Sequence, residues 1–298
     1  DAALAGIADR AEFYGKLALE TLGRSVSAPP APAPVAAAEA EAVRAVPGLQ
    51  RGLQLIGIGL RSEGVREWHF TIVRDLPPEL PNDRALLAAA AWACEVEVWD
   101  RCINTSDRTR GEIDLAQRFP MPMRDAVLEH ARAVGVDPAY VYGLIRQESR
   151  FIMDARSHVG ASGLMQLMPA TARWTARRIG LDYQPAMIND RDINLRLGMS
   201  YLKLVLDDFE GRTVLGAAAY NAGPGRPRRW REGASLEAAA WVESIPFNET
   251  RDYVKRVLSN SIYYGLRLGE TSPSLTQRLG GPIGPRPASS PAENKELP

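Results

Sequence analysis

Across the first 135 residues no helical pattern runs far before proline or glycine cuts it, and this restricts the chain to short helices packed on one another. "AEFYGKLALETLG" is helical and stops at Gly23, and "SAPPAPAPVAAA" is a Pro/Ala linker through which a helix cannot continue. "GLQRGLQLIGIGL", "SEGVREWHFTIV", the break "PPELPND" and "RALLAAAAWACEVEVWDRC" follow. Helices this short are marginal alone, so their apolar faces need neighbours. The pattern predicts an irregular stack of paired helices over residues 1–122, the C-terminal part of a longer solenoid, although no fixed-period repeat marks it.

From Met123 to about residue 270 a second helical region is rich in glycine at its turns, and from Thr271 onward six prolines and no helical period predict a disordered tail. A length of 298 residues suits about two domains, and 45% hydrophobic with 24% charged residues is ordinary for a soluble globular chain. Thirty-six Asp plus Glu balance thirty-six Lys plus Arg, so no global field steers it to nucleic acid or an anionic membrane. Within 136–270 eighteen basic residues face fifteen acidic ones, with a local cluster in "GRPRRWREG" that reads as a solvated turn. The longest apolar stretches, such as "LLAAAAWAC", are too short to be a membrane span. Asp1 opens an acidic stretch rather than a signal peptide, as in a cytosolic start, a mature form or a fragment. On one straight helix Cys94 and Cys102 would stand about 12 Å apart, so a bond between them needs a helix break.

Familiar catalytic motifs are absent: HExxH, paired CxxC, GxSxG, GxxxxGK[ST] and GxGxxG. With only His69, His130 and His158, imidazole chemistry and zinc sites have little to build on, which leaves carboxylate chemistry. One carboxylate stands out in "YGLIRQESRFIMDARS". Asp137 serves as N-cap and Pro138 takes the first helical position, which sets the phase. Counted from Val141 at 100° per residue, Leu144, Ile145, Glu148 and Ile152 fall within about 60°, and Glu148 within about 20°. Glu148 thus points where the core points, and a buried carboxylate must be neutral, paired with a cation such as an arginine, or hydrogen-bonded.

Three further stretches differ from helical filler. "HVGASGLMQLMPATA" sets Met165 and Met168 around Gln166 before Pro169 starts a helix, and "AAAYNAGPGR" leaves Tyr220 and Asn221 as hydrogen-bonding heads at a helix end. "WVESIPFNETRDYVKR" carries Glu243. Taken singly, each has a plain structural reading, as core methionines or a turn.

In this order the motifs "QESRF", "GASGLMQLMP", "AAAYNAGPGR" and "VESIPFNETRDYVKRV" resemble the catalytic domain of soluble lytic murein transglycosylases, relatives of goose-type lysozyme. The resemblance implies a nearly all-α protein, with a helical superhelix segment over 1–122 and a lysozyme-like catalytic domain over 123–270. It implies that Glu148 is the catalytic acid and base, that Ser157, Gln166, Met168, Ala219, Tyr220 and Asn221 line a glycan groove with Tyr220 touching the acid, and that Glu243 supports sugar binding. "GMSYL", from Gly198, fits the same family and reads as helix packing. The implied partner is the peptidoglycan glycan strand and the implied location the periplasm of a Gram-negative bacterium, with no metal, cofactor or nucleic acid. An ordinary Glu, with pKa near 4.3, would hold a proton only about 0.2% of the time at pH 7, whereas a pKa of about 6 raises this to roughly 9%. An apolar setting moves a general acid that way, as it does in lysozyme, a relative by fold resemblance. Two rivals remain: a muramidase that uses water, and a catalytically silent glycan-binding scaffold.

Overall fold

The computed structural model describes residues 2–298, and the chain divides into two compact units. One comprises the residues up to Ser27, Met123–Ser149 and Met153–Pro298; the other is Ala28–Pro122 with Arg150–Ile152. The described residues form helices joined by loops, and β pairing is confined to three isolated bridges, Arg156 with Ser162, Ser162 with Leu167 and Leu236 with Ile283. The all-helical fold class read from periodicity therefore holds. No helix among the described residues is long and apolar enough to cross a membrane.

In chain order, α1 (Ala2–Ala5) and α2 (Phe13–Thr21) come first and belong to the first unit. The second unit follows with α3 (Ala37–Arg44), α4 (Pro47–Gly57), α5 (Arg61–Arg74), α6 (Asn82–Glu95), α7 (Trp99–Ser106) and α8 (Leu115–Arg118). Its core gathers Val43, Leu49, Trp68, Leu86, Ala89, Ala93 and Cys102, with the Trp68 indole N–H donating to Thr105 Oγ1 at 2.9 Å. The Pro/Ala linker, unable to bond to itself, is held from outside. Arg84 donates to the carbonyls of Ala33 (2.9 Å) and Pro34 (3.0 Å) while its fork also grips Glu39.

Between α6 and α7 the helix breaks at Glu97, whose φ is +59°, and the break brings the Cα atoms of Cys94 and Cys102 to 5.0 Å and joins them by a disulfide. The bond therefore exists on the condition the spacing set. By the loop-entropy relation, closing this eight-residue separation contributes about 2.5 kcal/mol. Cys102→Ser is expected to lower stability by about that amount in denaturant titration under oxidising conditions, and by nothing once wild type is reduced.

The first unit resumes with α9 (Arg124–Val134), α10 (Pro138–Glu148), α11 (Pro169–Arg178), the 3₁₀ turn Pro185–Asn189, α12 (Arg191–Asp208) and α13 (Thr213–Ala222). It ends with α14 (Gly225–Trp230), α15 (Ala238–Ser244), α16 (Asn248–Leu268) and α17 (Leu275–Leu279). α10 packs chiefly on α16, the longest helix.

Two sequence expectations about boundaries give way. The residues up to Ser27, assigned above to the superhelix region, pack into the same unit as residues 153–298, because Phe13, Lys16 and Ala18 are buried and Glu20 accepts the N–H groups of Leu275 (2.6 Å) and Thr276 (2.8 Å) at the start of α17. The tail from Thr271, expected to be disordered, is packed: Leu275, Leu279, Ile283 and Leu297 are buried, and Leu236 and Ile283 exchange backbone hydrogen bonds at 2.9 and 2.8 Å. Counting prolines missed four apolar anchors, of which Leu275 and Leu279 form one i, i+4 pair on the five-residue α17 and the other two stand alone.

Candidate active site

Asp137 caps α10 as its sequence indicates, accepting the Ala139 N–H at 2.9 Å, and Pro138 follows. The helix ends at Glu148, because Arg150 and Phe151 turn left-handed with φ of +48° and +66°. Ile152 is therefore not on this helix, and the apolar stripe ends on the acid itself. Glu148 keeps a partly exposed edge while its carboxyl group is enclosed. Burial pushes its pKa up to about 8, the hydrogen bond from Tyr253 opposes that rise, and the charge of Glu249 adds to it. Its place at a helix C-terminus, the negative end of the dipole, works in the same direction. At pH 7 such a group is protonated about 90% of the time. Among the described residues no arginine pairs with it, so the paired reading is set aside.

The hydroxyl touching Glu148 belongs to Tyr253, which donates to Oε1 at 2.5 Å. Tyr220, expected in that place, instead donates to the Met165 carbonyl at 2.8 Å, though it lies near enough that the Glu148 charge helps raise its pKa. Gly143 is what lets α16 come this close: a Cβ there would stand 2.7 Å from the Val257 carbonyl oxygen and 3.1 Å from Ser261 N. Five residues on from Gly143 α10 presents Glu148, while four residues back from Val257 α16 presents Tyr253, so the two helices pass with opposite polarity. Tyr253→Phe removes a bond that favours the ionised form, so the Glu148 pKa is expected to rise by roughly one unit in a ¹³C NMR titration of the carboxyl carbon.

The "GASGLMQLMP" loop is shaped largely by its own polar groups and by Asn194 of α12. The buried Asn194 accepts the Met165 N–H (2.9 Å) and donates to the carbonyls of Ile188 (2.7 Å) and Ser162 (3.2 Å). Gly163 has φ of +82° and leaves no room for a Cβ, which would fall 2.1 Å from Asn194 Nδ2. The Gln166 amide donates to the carbonyls of Ala155 (3.0 Å) and Gly163 (2.8 Å), and Ser157 Oγ accepts the Ala161 N–H at 2.9 Å. Gly198 packs against the Met165 side chain, in keeping with a packing role for "GMSYL". Met168 is 41% exposed at the start of α11.

Two of the expected substrate-binding residues, Ala219 of the groove set and Glu243 in its supporting role, are engaged within the protein. Ala219 is fully buried within α13 and presents no side-chain surface to a ligand. Glu243 lies in the last turn of α15, where its carboxylate takes a hydrogen bond from Lys255 at 2.9 Å and another from the Tyr14 hydroxyl. The carboxylate that acts on Glu148 is Glu249, six residues later. Glu249 and Tyr253 are i and i+4 on α16, a spacing that could have paired them had the start of that helix been known. Beside them Asn221, whose Oδ1 accepts the Thr250 hydroxyl at 2.7 Å, shares a pocket of about 380 Å³ with Arg226, Asn248 and Glu249.

A family model described as "Transglycosylase SLT domain" matches residues 125–240, and one described as "Soluble lytic transglycosylase helical domain" matches residues 244–273. The chain belongs to the soluble lytic transglycosylase family. Among members of this family, the soluble lytic murein transglycosylase of Salmonella typhimurium is 33% identical over 264 residues, covering 87% of this chain and 39% of that protein. That of Escherichia coli strain K12 is 36% identical over 185 residues, covering 61% of this chain and 29% of that protein. The chain thus spans well under half the length of these curated relatives. Among solved structures, an inactive Glu-to-Gln mutant of lytic transglycosylase Slt from Pseudomonas aeruginosa superimposes with TM-score 0.82 at 34% identity, over 95% of this chain and 45% of that one. A complex of the 70 kDa soluble lytic transglycosylase with bulgecin A gives TM-score 0.74 at 30% identity, over 91% of this chain and 43% of that one.

Proposed function

We propose that this member of the family is a periplasmic lyase cleaving the β-1,4 bond between N-acetylmuramic acid and N-acetylglucosamine in peptidoglycan, with Glu148 as its acid and base. The observation that carries the reading is a carboxyl group whose surroundings keep its proton at neutral pH, with Tyr253 donating to it. Glu148 gives that proton to the glycosidic oxygen as the bond to C1 breaks. The resulting carboxylate removes the proton of the muramyl C6 hydroxyl, whose oxygen bonds to C1 and closes a 1,6-anhydro ring. One proton is lent and returned, and no water is consumed. A nucleophile tethered to the reacting sugar has a high effective molarity, so no protein nucleophile is required.

That a Glu-to-Gln change inactivates the Pseudomonas aeruginosa relative supports an essential glutamate in this reaction. The Cys94–Cys102 disulfide fits an oxidising compartment such as the periplasm. Ser157, Gln166, Met168, Tyr220 and Asn221 remain the groove residues of this reading, with Tyr253 and Glu249 added. Glu249 is the one observation favouring a second route, in which a second carboxylate activates water as in ordinary glycosidases. Mass spectrometry of muropeptides released from purified sacculi decides between them. Anhydro ends lacking one water are expected, and reducing ends would overturn the ring-closing step.

A further inference from the structure

α16 is gripped on two opposite faces. Tyr253, Val257 and Ser261 lie toward α10, where Gly143 meets the backbone of the last two. Lys255, Ser259 and Tyr263 stand two residues further along, about 200° around the helix. All three are met by α2. Lys16 Nζ donates to Ser259 Oγ at 2.8 Å and lies 4.1 Å over the Tyr263 ring, while Lys255 Nζ lies 5.4 Å over the Tyr14 ring. Lys255 and the Tyr14 hydroxyl also share the Glu243 carboxylate.

Lys16 is only 2% exposed, a placement that is costly for an amine and that nothing in the proposed reaction uses. Burial pushes its pKa down to about 7, with Glu12 and Glu20 opposing the fall and Arg146 of α10 adding to it. α10 and α13 both pack on α16, and the grip of α2 on the face turned away from α10 further restricts roll and slide along that packing. We propose that Tyr14 and Lys16 are positioning residues for Glu148: by clamping the outer face of α16 they keep Tyr253, on its inner face, within hydrogen-bond reach of the acid. The segment that precedes the Pro/Ala linker is thereby a working part of the catalytic unit.

This rests on Glu148 being the working acid, but its test does not need turnover. The Glu148 carboxyl carbon is titrated by ¹³C NMR in the whole chain, for wild type, Lys16→Met, Tyr14→Phe, Tyr253→Phe and the two doubles that add Tyr253→Phe. Besides Tyr253, the titratable groups acting on Glu148 are Glu249 of α16 and, across from it, Tyr220 of α13. Each α2 variant is expected to raise the Glu148 pKa by roughly half the Tyr253→Phe shift, and to add nothing further in the Tyr253→Phe background. An unchanged pKa would overturn the proposal, and so would an equal shift in both backgrounds, since that marks a through-space charge effect. If Lys16→Met does not fold, Tyr14→Phe, which removes only a hydroxyl at a half-exposed position, carries the same comparison. A wild type without murein cleavage would sink the function proposed above and leave this titration standing.

Discussion

Glu148→Gln is expected to lose at least about a thousandfold in murein cleavage while becoming the more stable protein at neutral and alkaline pH. The glutamine keeps the shape of the side chain and can still accept the Tyr253 hydroxyl, but it has no proton to lend. The stability change follows from linkage. The folded pKa of about 8 lies above the ordinary value of 4.5, so between those values the folded state holds a proton that the unfolded state has released. Stability from this group is complete below about pH 4.5 and is lost as pH rises through 8. Complete burial would make the loss several kcal/mol; with solvent reaching the exposed edge of the site we expect about 2 kcal/mol. Thermal or urea unfolding of both proteins at pH 5 and pH 8.5 checks the sign, because the advantage of the glutamine variant should be small at the lower pH and large at the higher. An equal gap at both would mean the carboxyl group is not held dry.

Gly143→Val is expected to cost about 3 kcal/mol or more of stability and, in the fraction that folds, more than tenfold in activity. A Cβ at this position meets backbone atoms of α16, the Val257 oxygen at 2.7 Å and Ser261 N at 3.1 Å, and backbone cannot swing aside as the end of a flexible side chain can. The helices must separate, and separation lengthens the Tyr253 to Glu148 bond. Gly143→Ala sets the same clash against a gain of about 1 kcal/mol in helix propensity, so it should fall between valine and wild type. Urea titration gives the stability and the Glu148 NMR titration gives the geometry. A stable Gly143→Val protein with an unshifted Glu148 would show that the close approach is not what holds the site.

What could be read along the chain was local. Asp137 and Pro138 start a helix wherever they stand in such a pattern, and their phase alone placed Glu148 on the inward face. The helix break required by the cysteine spacing is present at Glu97, and the irregular run of prolines before α3 is present too. The order of four motifs was enough to indicate the family. Periodicity also overreached: it carried the stripe on to Ile152, because nothing in a 100° count registers that the backbone turns left-handed at Arg150 and Phe151.

Three things were decided only in three dimensions. The partner of the acid, Tyr253, stands 105 residues away and reaches it because α10 and α16 pass closely at Gly143. The carboxylate that acts on Glu148 is Glu249, in the first turn of α16, which begins at Asn248, while Glu243 belongs to the separate α15, where Lys255 and Tyr14 bond to it. The segments at the two ends of the chain, one assigned to another domain and one to disorder, meet where Glu20 caps α17. Caps, breaks and the inward phase of a helix depend on residues within a few positions of one another, so the order of amino acids suffices to set them. Which faces then meet depends on how well distant surfaces fit together, and no local pattern records that fit.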